Sequence, residues 1–423
     1  MKIEKITCAQ TDSSYNYIKH PSGLDILVCE MEGFSTTEAL FGTKYGSINT
    51  MFKTKADRDF TVVPEGIAHF LEHKLFENED CDAFNLFAKT GASANAFTSF
   101  DKTCYLFSCS DNYKESLKIL LDFVQAPYFT KENVDKEQGI IGQEIRMCDD
   151  NPSWKVLFNL LTAMYHDHPV KIDIAGTVES IAQIDADLLY KCYNTFYNLH
   201  NMVLAIAGNV KTEEVIEIAN KSLKPCENQE LETVFPEEPY EIVQKKIVQQ
   251  LPVGSPMFNI GLKSSPLSGY ERHKAEMECY IAANVLSDAS SALYKRLISQ
   301  GLINSTFDSE IFAGDGYFSV IFGGESEDPE KVMEEISAEI ETAKKTGLDR
   351  ELFESIKKST YGSIIREQNN PEAVANNFIN THLAGIKPFD TVKVLTEMTY
   401  EDAMNALNER FDTDNMAISI IKS

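Results

Sequence analysis

The sequence predicts an α+β protein of two homologous halves, each a mostly antiparallel sheet packed with helices. Three observations point there. Short alternating apolar segments read as strands: CYLFSCS (104–110), MVLAIAG (202–208), FNIGLKS (258–264) and YFSVIFGG (317–324). Longer segments with apolar residues three and four apart, such as ESLKILLDFVQAP (115–127), read as helices set between them. Finally, the second half of the chain echoes the first in order. DDNPSWKV (149–156) and QIDADLLYKCYNTFYNLHNMVLAIAG (183–208) are matched by QNNPEAVA (368–375) and EMTYEDAMNALNERFDTDNMAISII (397–421). In each copy an Asn-Pro helix start leads to an amphipathic helix, an aromatic, Asn-Met and an alternating strand. Hairpins mixed with helices favour layered α+β architecture over a strictly alternating parallel sheet. At 423 residues the chain exceeds one ordinary core, so two domains are expected. The acidic, Pro-containing segment after residue 225 has the look of a linker. The expected division is 1–225, a linker over 226–245, and 246–423.

The first informative element is VPEGIAHFLEHKLFE (63–77), where Pro64 and the acidic residue after it suit a helix start. On that helix His69 and His73 lie four apart and project from one face, one turn apart. Zinc takes imidazole nitrogen at about 2.0–2.1 Å, and two histidines on successive turns can close on one ion. Glu72 lies near the same face, placed to reach a zinc-bound water without being a ligand. A catalytic zinc takes three protein ligands and leaves one position open. The third candidate is Glu144 in KEQGIIGQEIRMCDD, with Glu137 seven residues earlier on the same helical face. One carboxylate can bind the ion while the other orients a histidine or holds the ligand helix from behind; spacing favours Glu144 as the ligand. His20, His166, His168, His200, His273 and His382 share no such spacing and read as structural or exposed, with His168-Pro169 suited to fixing a turn near the site.

Composition narrows the function classes. The formal net charge is −26, from 39 Lys and Arg against 65 Asp and Glu, which disfavours phosphate backbones and anionic lipid surfaces; neither nucleic acid nor membrane is an expected partner. Nine cysteines, an odd number with no CxxC pair, fit reduced thiols scattered through cores. The N-terminal residues carry no apolar stretch of a signal peptide, so a cytoplasmic location is expected. No cysteine sits in an activating context, which leaves thiol catalysis a minor reading.

HFLEH is the inverted HxxEH signature. Together with EQGIIGQE and a two-half chain bearing one zinc motif, it resembles the pitrilysin family (M16), in particular its zinc-bearing bacterial members of about this length. The resemblance covers nearly the whole chain, including GASANAFTSFDKTCYLF (91–107), HPVKIDIAGTVESI (168–181) and YNLHNMVLAIAGNV (197–210). It implies two halves forming a clam-like chamber, zinc held by His69, His73 and Glu144, Glu72 as general base, and Glu137 in support. It also implies that Asn95 and Ala96, in the NAFTS segment, hydrogen-bond a peptide backbone along a sheet edge. The implied activity is hydrolysis of oligopeptides, or processing of one particular peptide, by zinc-activated water. Active members carry an Arg and a Tyr seven residues apart around a Gly-Leu pair in the second half. Aligned on Gly301-Leu302, those places hold Leu297 and Asn304, with Arg296 adjacent but turned about 100° away on a helix. This departure implies a partner, either a homologous subunit in a heterodimer or a second copy in a homodimer. The alternative is a zinc-binding but weakly active or non-catalytic subunit with a structural role.

Overall fold

The computed structural model describes residues 2–79 and 82–423; Cys81 lies outside them, and the eight other cysteines are free thiols. The chain forms two compact units. The first comprises Met1–Ile145, Asp173–Val234 and Ile364–Phe389, and the second Arg146–Ile172, Phe235–Ser363 and Asp390–Ser423.

The first unit contains strands β1 (Ile3–Thr7), β2 (Ser14–Lys19), β3 (Asp25–Glu30), β4 (Thr37–Thr43), β5 (Met51–Lys53), β6 (Thr61–Val62), β7 (Ser93–Thr98), β8 (Thr103–Cys109), β9 (Met202–Gly208) and β10 (Glu232–Thr233). Seven of them form a sheet in the order β1-β2-β3-β9-β4-β8-β7, in which only β3 and β9 run parallel. The second unit contains β11 (Lys246–Gln250), β12 (Met257–Lys263), β13 (Asp308–Gly314), β14 (Tyr317–Glu325) and β15 (Met416–Lys422), ordered β11-β15-β12-β14-β13. Again one pair is parallel, β11 with β15. Strand for strand this is the first sheet from β3 to β7, so the sequence echo is an echo of topology. Both sheets are mostly antiparallel and packed with helices, as the α+β reading requires.

The two central strands of the first sheet, β4 and β9, are buried along their whole length, so neither face of the sheet meets water there. Alternation divides β9 between two cores: Leu204 and Ile206 join Phe41, Phe107 and Leu71 on one side. Val203, Ala205 and Ala207 face the other, where helix Pro371–Leu383 lies over them with Val374, Phe378 and Ile379. Small residues let that helix approach; a Cβ on Gly42 would meet Cys104 Sγ at 3.0 Å and Ile379 Cδ1 at 3.3 Å. In the second unit helix Pro152–Met164 occupies the matching place on β12 and β15, where a Cβ on Gly261 would meet Met164 Sδ at 2.5 Å. Gly42 pairs with Val203 and Gly261 with Ala417, the same register in the two sheets.

The compact units therefore differ from a contiguous cut over 226–245. The chain does cross from Val234 to Phe235 within that segment, but each unit also takes in one helix from the far side of it. The reason is apolar cover: each of these helices, started by an Asn N-cap and Pro (Asn151-Pro152, Asn370-Pro371), lays its buried residues on the sheet of the unit it joins. Nor is the segment a plain solvated linker, since β10 pairs with β5 and the half-buried Glu238 pairs with Lys263.

Glu238 clamps the turn before helix-forming Pro169. Its carboxylate accepts the backbone N–H groups of His166, Asp167 and His168 at 2.8 Å each, and Lys263 Nζ donates at 2.6 Å. Burial alone would raise this carboxyl; Lys263 and the three amides hold it down at about 2. His168, wholly buried, is pushed down to about 4 by burial, against its bond to Asp315 O at 3.0 Å. His168 does fix a turn, through Nδ1 on Val170 N, but the residues it bonds belong to the second unit. Both folded-state values lie below the ordinary ones, so both groups stabilise at neutral pH and lose that contribution as pH falls. His168 loses it between 6.5 and about 4, and Glu238 between 4.5 and about 2. For the wholly buried His168 this is worth on the order of 3 kcal/mol, and for the partly exposed Glu238 solvent screening leaves less. Denaturant titrations from pH 7 to 4 should show the second unit weakening from pH 6.5 downward, and His168→Gln should flatten that slope; an unchanged slope would refute the assignment.

Candidate metal centre

All the candidate site residues lie in the first unit. The helix carrying the HxxEH motif runs Ile67–Leu75, three residues later than a start at Pro64. Gly66 sets the start: its φ of +85° is left-handed, and a Cβ there would sit 2.3 Å from Ala175 O, so only glycine fits. Ile67, Phe70, Leu71 and Leu75 bury the inner side of this helix. The second contributor is the helix Lys131–Asp149, whose Glu137, Ile141 and Ile145 face inward.

These two helices bring His69, His73 and Glu144 together, with one donor atom from each lying within 4.8 Å of the others. His69 Nε2 is 3.6 Å from Glu144 Oε1, and His73 Nε2 is 3.4 Å from Glu144 Oε2. Ligands at about 2.0–2.1 Å from a tetrahedral ion stand about 3.3–3.4 Å apart; each imidazole lies near that distance from one of the two Glu144 oxygens, so the three side chains are placed to converge on one ion. The donor set, two imidazoles and one carboxylate, is that of a catalytic rather than a closed structural zinc site. Among the described residues it is the one such cluster of His, Cys, Asp and Glu.

Electrostatics fix the nitrogen roles. His73 Nδ1 lies 3.1 Å from Glu137 Oε1, and a carboxylate acceptor makes Nδ1 a hydrogen-bearing nitrogen, so Nε2, on the Glu144 side of the ring, is the one that can face an ion. Burial would lower the His73 imidazole, but the Glu137 bond and the charges of Glu72, Glu144 and Glu137 raise it. Glu144 is held below the usual carboxylate range chiefly by the neighbouring His69 imidazole, against burial. Glu137 is also held low: burial would raise it, and His73 and Lys74 outweigh that. Three carboxylates thus converge on two imidazoles, a surplus of negative charge that a divalent cation would offset.

Glu72 is not among the three donors. Its Oε2 accepts a 2.7 Å hydrogen bond from Thr98 Oγ1, at the end of β7. Thr98 lies 3.3 Å from Thr103 Oγ1, which donates to Tyr45 O at 2.8 Å, tying the Glu72 carboxylate to the sheet. Asn95 and Ala96 lie on β7, the last strand of its sheet order and hence an edge. Ala96 N–H donates to Asn95 Oδ1 at 2.9 Å, so the side chain of Asn95 caps an edge donor. A groove of about 610 Å³ runs here, lined by Glu72, His73, Phe76, Asn95, Ala96 and Glu137, among others.

Two contributors escaped the sequence reading. Thr98 gives no spacing signal, because its partner Glu72 is on a helix and the meeting is tertiary. Lys74 is wholly buried and touches both Glu77 and Glu137. A signal for it was present: positions 67, 70, 71 and 74 form one helical stripe, apolar except at Lys74.

In the second unit, Leu297 is buried in helix Ala292–Ser299 and presents nothing polar. Asn304 Nδ2 donates to Glu325 at 2.7 Å while its Oδ1 accepts from Thr306. Arg296 is occupied by Glu335 at 3.1 Å and Glu339 at 2.8 Å.

Comparisons with known proteins bear on the family of the chain. Residues 62–178 match the family described as Insulinase (Peptidase family M16), and residues 183–360 match the Peptidase M16 inactive domain. The chain is 41% identical over 421 residues to the Bacillus subtilis uncharacterized zinc protease YmfH, covering 98% of each. Its fold superposes on a putative M16-like peptidase from Alicyclobacillus acidocaldarius with a TM-score of 0.93 at 33% identity, covering 100% of this chain and 99% of that one. A Helicobacter pylori protease shares the fold, with a TM-score of 0.80 at 21% identity and coverage of 100% and 99%. With two matched segments, a full-length relative and a zinc-type donor set in the first unit, the chain belongs to peptidase family M16.

Proposed function

We propose that the chain is a zinc metalloendopeptidase in which His69, His73 and Glu144 hold the ion and Glu72 is the general base. The observation that carries this reading is the placement of Glu72: beside the donor cluster, outside it, and fixed by Thr98. Bound zinc supplies Lewis acidity and makes water a stronger acid near neutral pH. Glu72 takes the proton from the attacking water and returns it to the leaving amine. Glu137 keeps the His73 ring oriented. Asn95 and Ala96 pair an extended peptide along the β7 edge, where main-chain bonds give affinity with broad side-chain tolerance. Binding would require the Asn95 side chain to release Ala96 N–H. The decisive experiment is hydrolysis of a fluorogenic oligopeptide library that chelator abolishes and zinc restores. Chelator-insensitive hydrolysis would refute the assignment.

The second unit favours a shared site. Where active relatives are expected to place Arg and Tyr, this chain has a buried Leu297 and an engaged Asn304, and Arg296 is spent on Glu335 and Glu339. A homologous subunit lacking the zinc motif would supply that pair, and a homodimer would lack it. No helix among the described residues is long and apolar enough to cross a membrane, which is compatible with the cytoplasmic location proposed here. Purified alone the chain should hydrolyse peptides weakly and gain at least about tenfold when mixed with such a subunit, a modest share of what oriented catalytic groups supply. Full activity alone would remove the need for a partner. Zinc binding without hydrolysis, even beside that subunit, would leave the chain a structural member of the pair.

A further inference from the structure

The wholly buried Lys74 stands next to His73 in the motif helix. Its ammonium touches Glu77, which lines the groove, and lies 3.5 Å from Glu137 Oε2. The other oxygen of Glu137 is 3.1 Å from His73 Nδ1, and His73 Nε2 is 3.4 Å from Glu144. The contacts therefore run unbroken from the groove wall, through Lys74 and Glu137, to a metal ligand. A lysine is rarely found fully buried unless paired, and replacing it by Met or Leu would cost the core nothing in volume. A carboxylate has two equivalent oxygens and a rotatable stem. With His73 alone as partner, Glu137 could turn either oxygen to the ring or swing away; an ammonium on the second oxygen removes that freedom.

We propose that Lys74 is a positioning residue for the metal centre, pinning Glu137 so that His73 presents Nε2 to the ion. The proposal rests on the zinc-peptidase reading. The competing explanation is purely structural: Lys74 joins the two helices, and its loss would loosen the site whatever Glu137 does.

Zinc affinity, measured by competition with a chromophoric chelator, separates the two. Lys74→Met should weaken zinc binding about 10–100-fold, the range found when partners of metal ligands are removed. In saturating zinc, kcat should fall while KM for peptide stays unchanged, since no substrate contact is lost. In a Glu137→Gln background, Lys74→Met should change zinc affinity by no more than about twofold, because the group it acts through is already altered. If Lys74→Met alone does not fold, as judged by circular dichroism in chelator, Lys74→Gln takes its place and should show the same dependence on Glu137. An equal loss of affinity in both backgrounds, or none in the single variant, overturns the proposal. A parent chain that binds no zinc would instead overturn the peptidase reading itself, so the two failures are distinguishable.

Discussion

Glu72→Gln is expected to keep a full complement of zinc and to lose peptide hydrolysis by about 10²–10⁴-fold, the usual contribution of a positioned general base. The two halves of that result come from one geometry. Glu72 offers no atom to the donor cluster of His69, His73 and Glu144, so the ion should not register its loss. Glutamine has the same shape and can still accept the Thr98 hydroxyl through its amide oxygen, so the groove should hold its form. What disappears is the group that accepts a proton. Metal content measured beside turnover on the same preparation checks both halves. Retained hydrolysis would end the general-base assignment, and lost zinc would mean that Glu72 ligates the metal after all.

His73→Ala should go further and abolish metal binding. It removes one donor of three and strands Glu137, whose bond to the ring supports the site from behind. Loss of zinc should also be visible as loss of stability. A ligand at a thousand times its Kd stabilises the folded state by about 4 kcal/mol, on the order of 10 °C in the melting transition of a unit this size. Chelator should therefore lower the melting temperature of the parent chain and leave His73→Ala unmoved at the lower value. If chelator shifts both alike, the effect is not at this centre.

Much of the centre was legible because its information is local. His69, Glu72 and His73 share one helix, and Glu137 and Glu144 share another, so helical periodicity places them without knowledge of the fold. Several strands were legible too, since β8, β9, β12 and β14 are dense in alternating or continuous apolar residues. The hidden features are tertiary. Thr98 meets Glu72 only because β7 is laid beside the motif helix, and nothing in the NAFTS segment announces a partner 26 positions back. The late start of the motif helix at Ile67 depends on how closely Gly66 approaches Ala175, which propensity cannot know. Which sheet a helix covers is likewise undetermined by its own amphipathic pattern, so the placement of Pro152–Met164 and Pro371–Leu383 was out of reach.

That crossed placement has a bearing on how the protein comes to exist. Val374, Phe378, Ile379 and Leu383 are buried in the core beneath Pro371–Leu383, and burial of four such side chains is worth about 6–12 kcal/mol. This is comparable to the entire stability of an ordinary domain. During synthesis the first sheet can be assembled once Gly208 has left the ribosome, yet one of its faces stays bare until Leu383 emerges. At 5–20 residues per second that interval is roughly 10–35 s, with an apolar surface open to other nascent chains. The metal centre, although drawn wholly from the first 144 residues, thus belongs to a unit that matures only when translation is nearly complete. A fragment ending in the segment after residue 225 should appear as a chaperone client rather than as a free-standing metalloprotein.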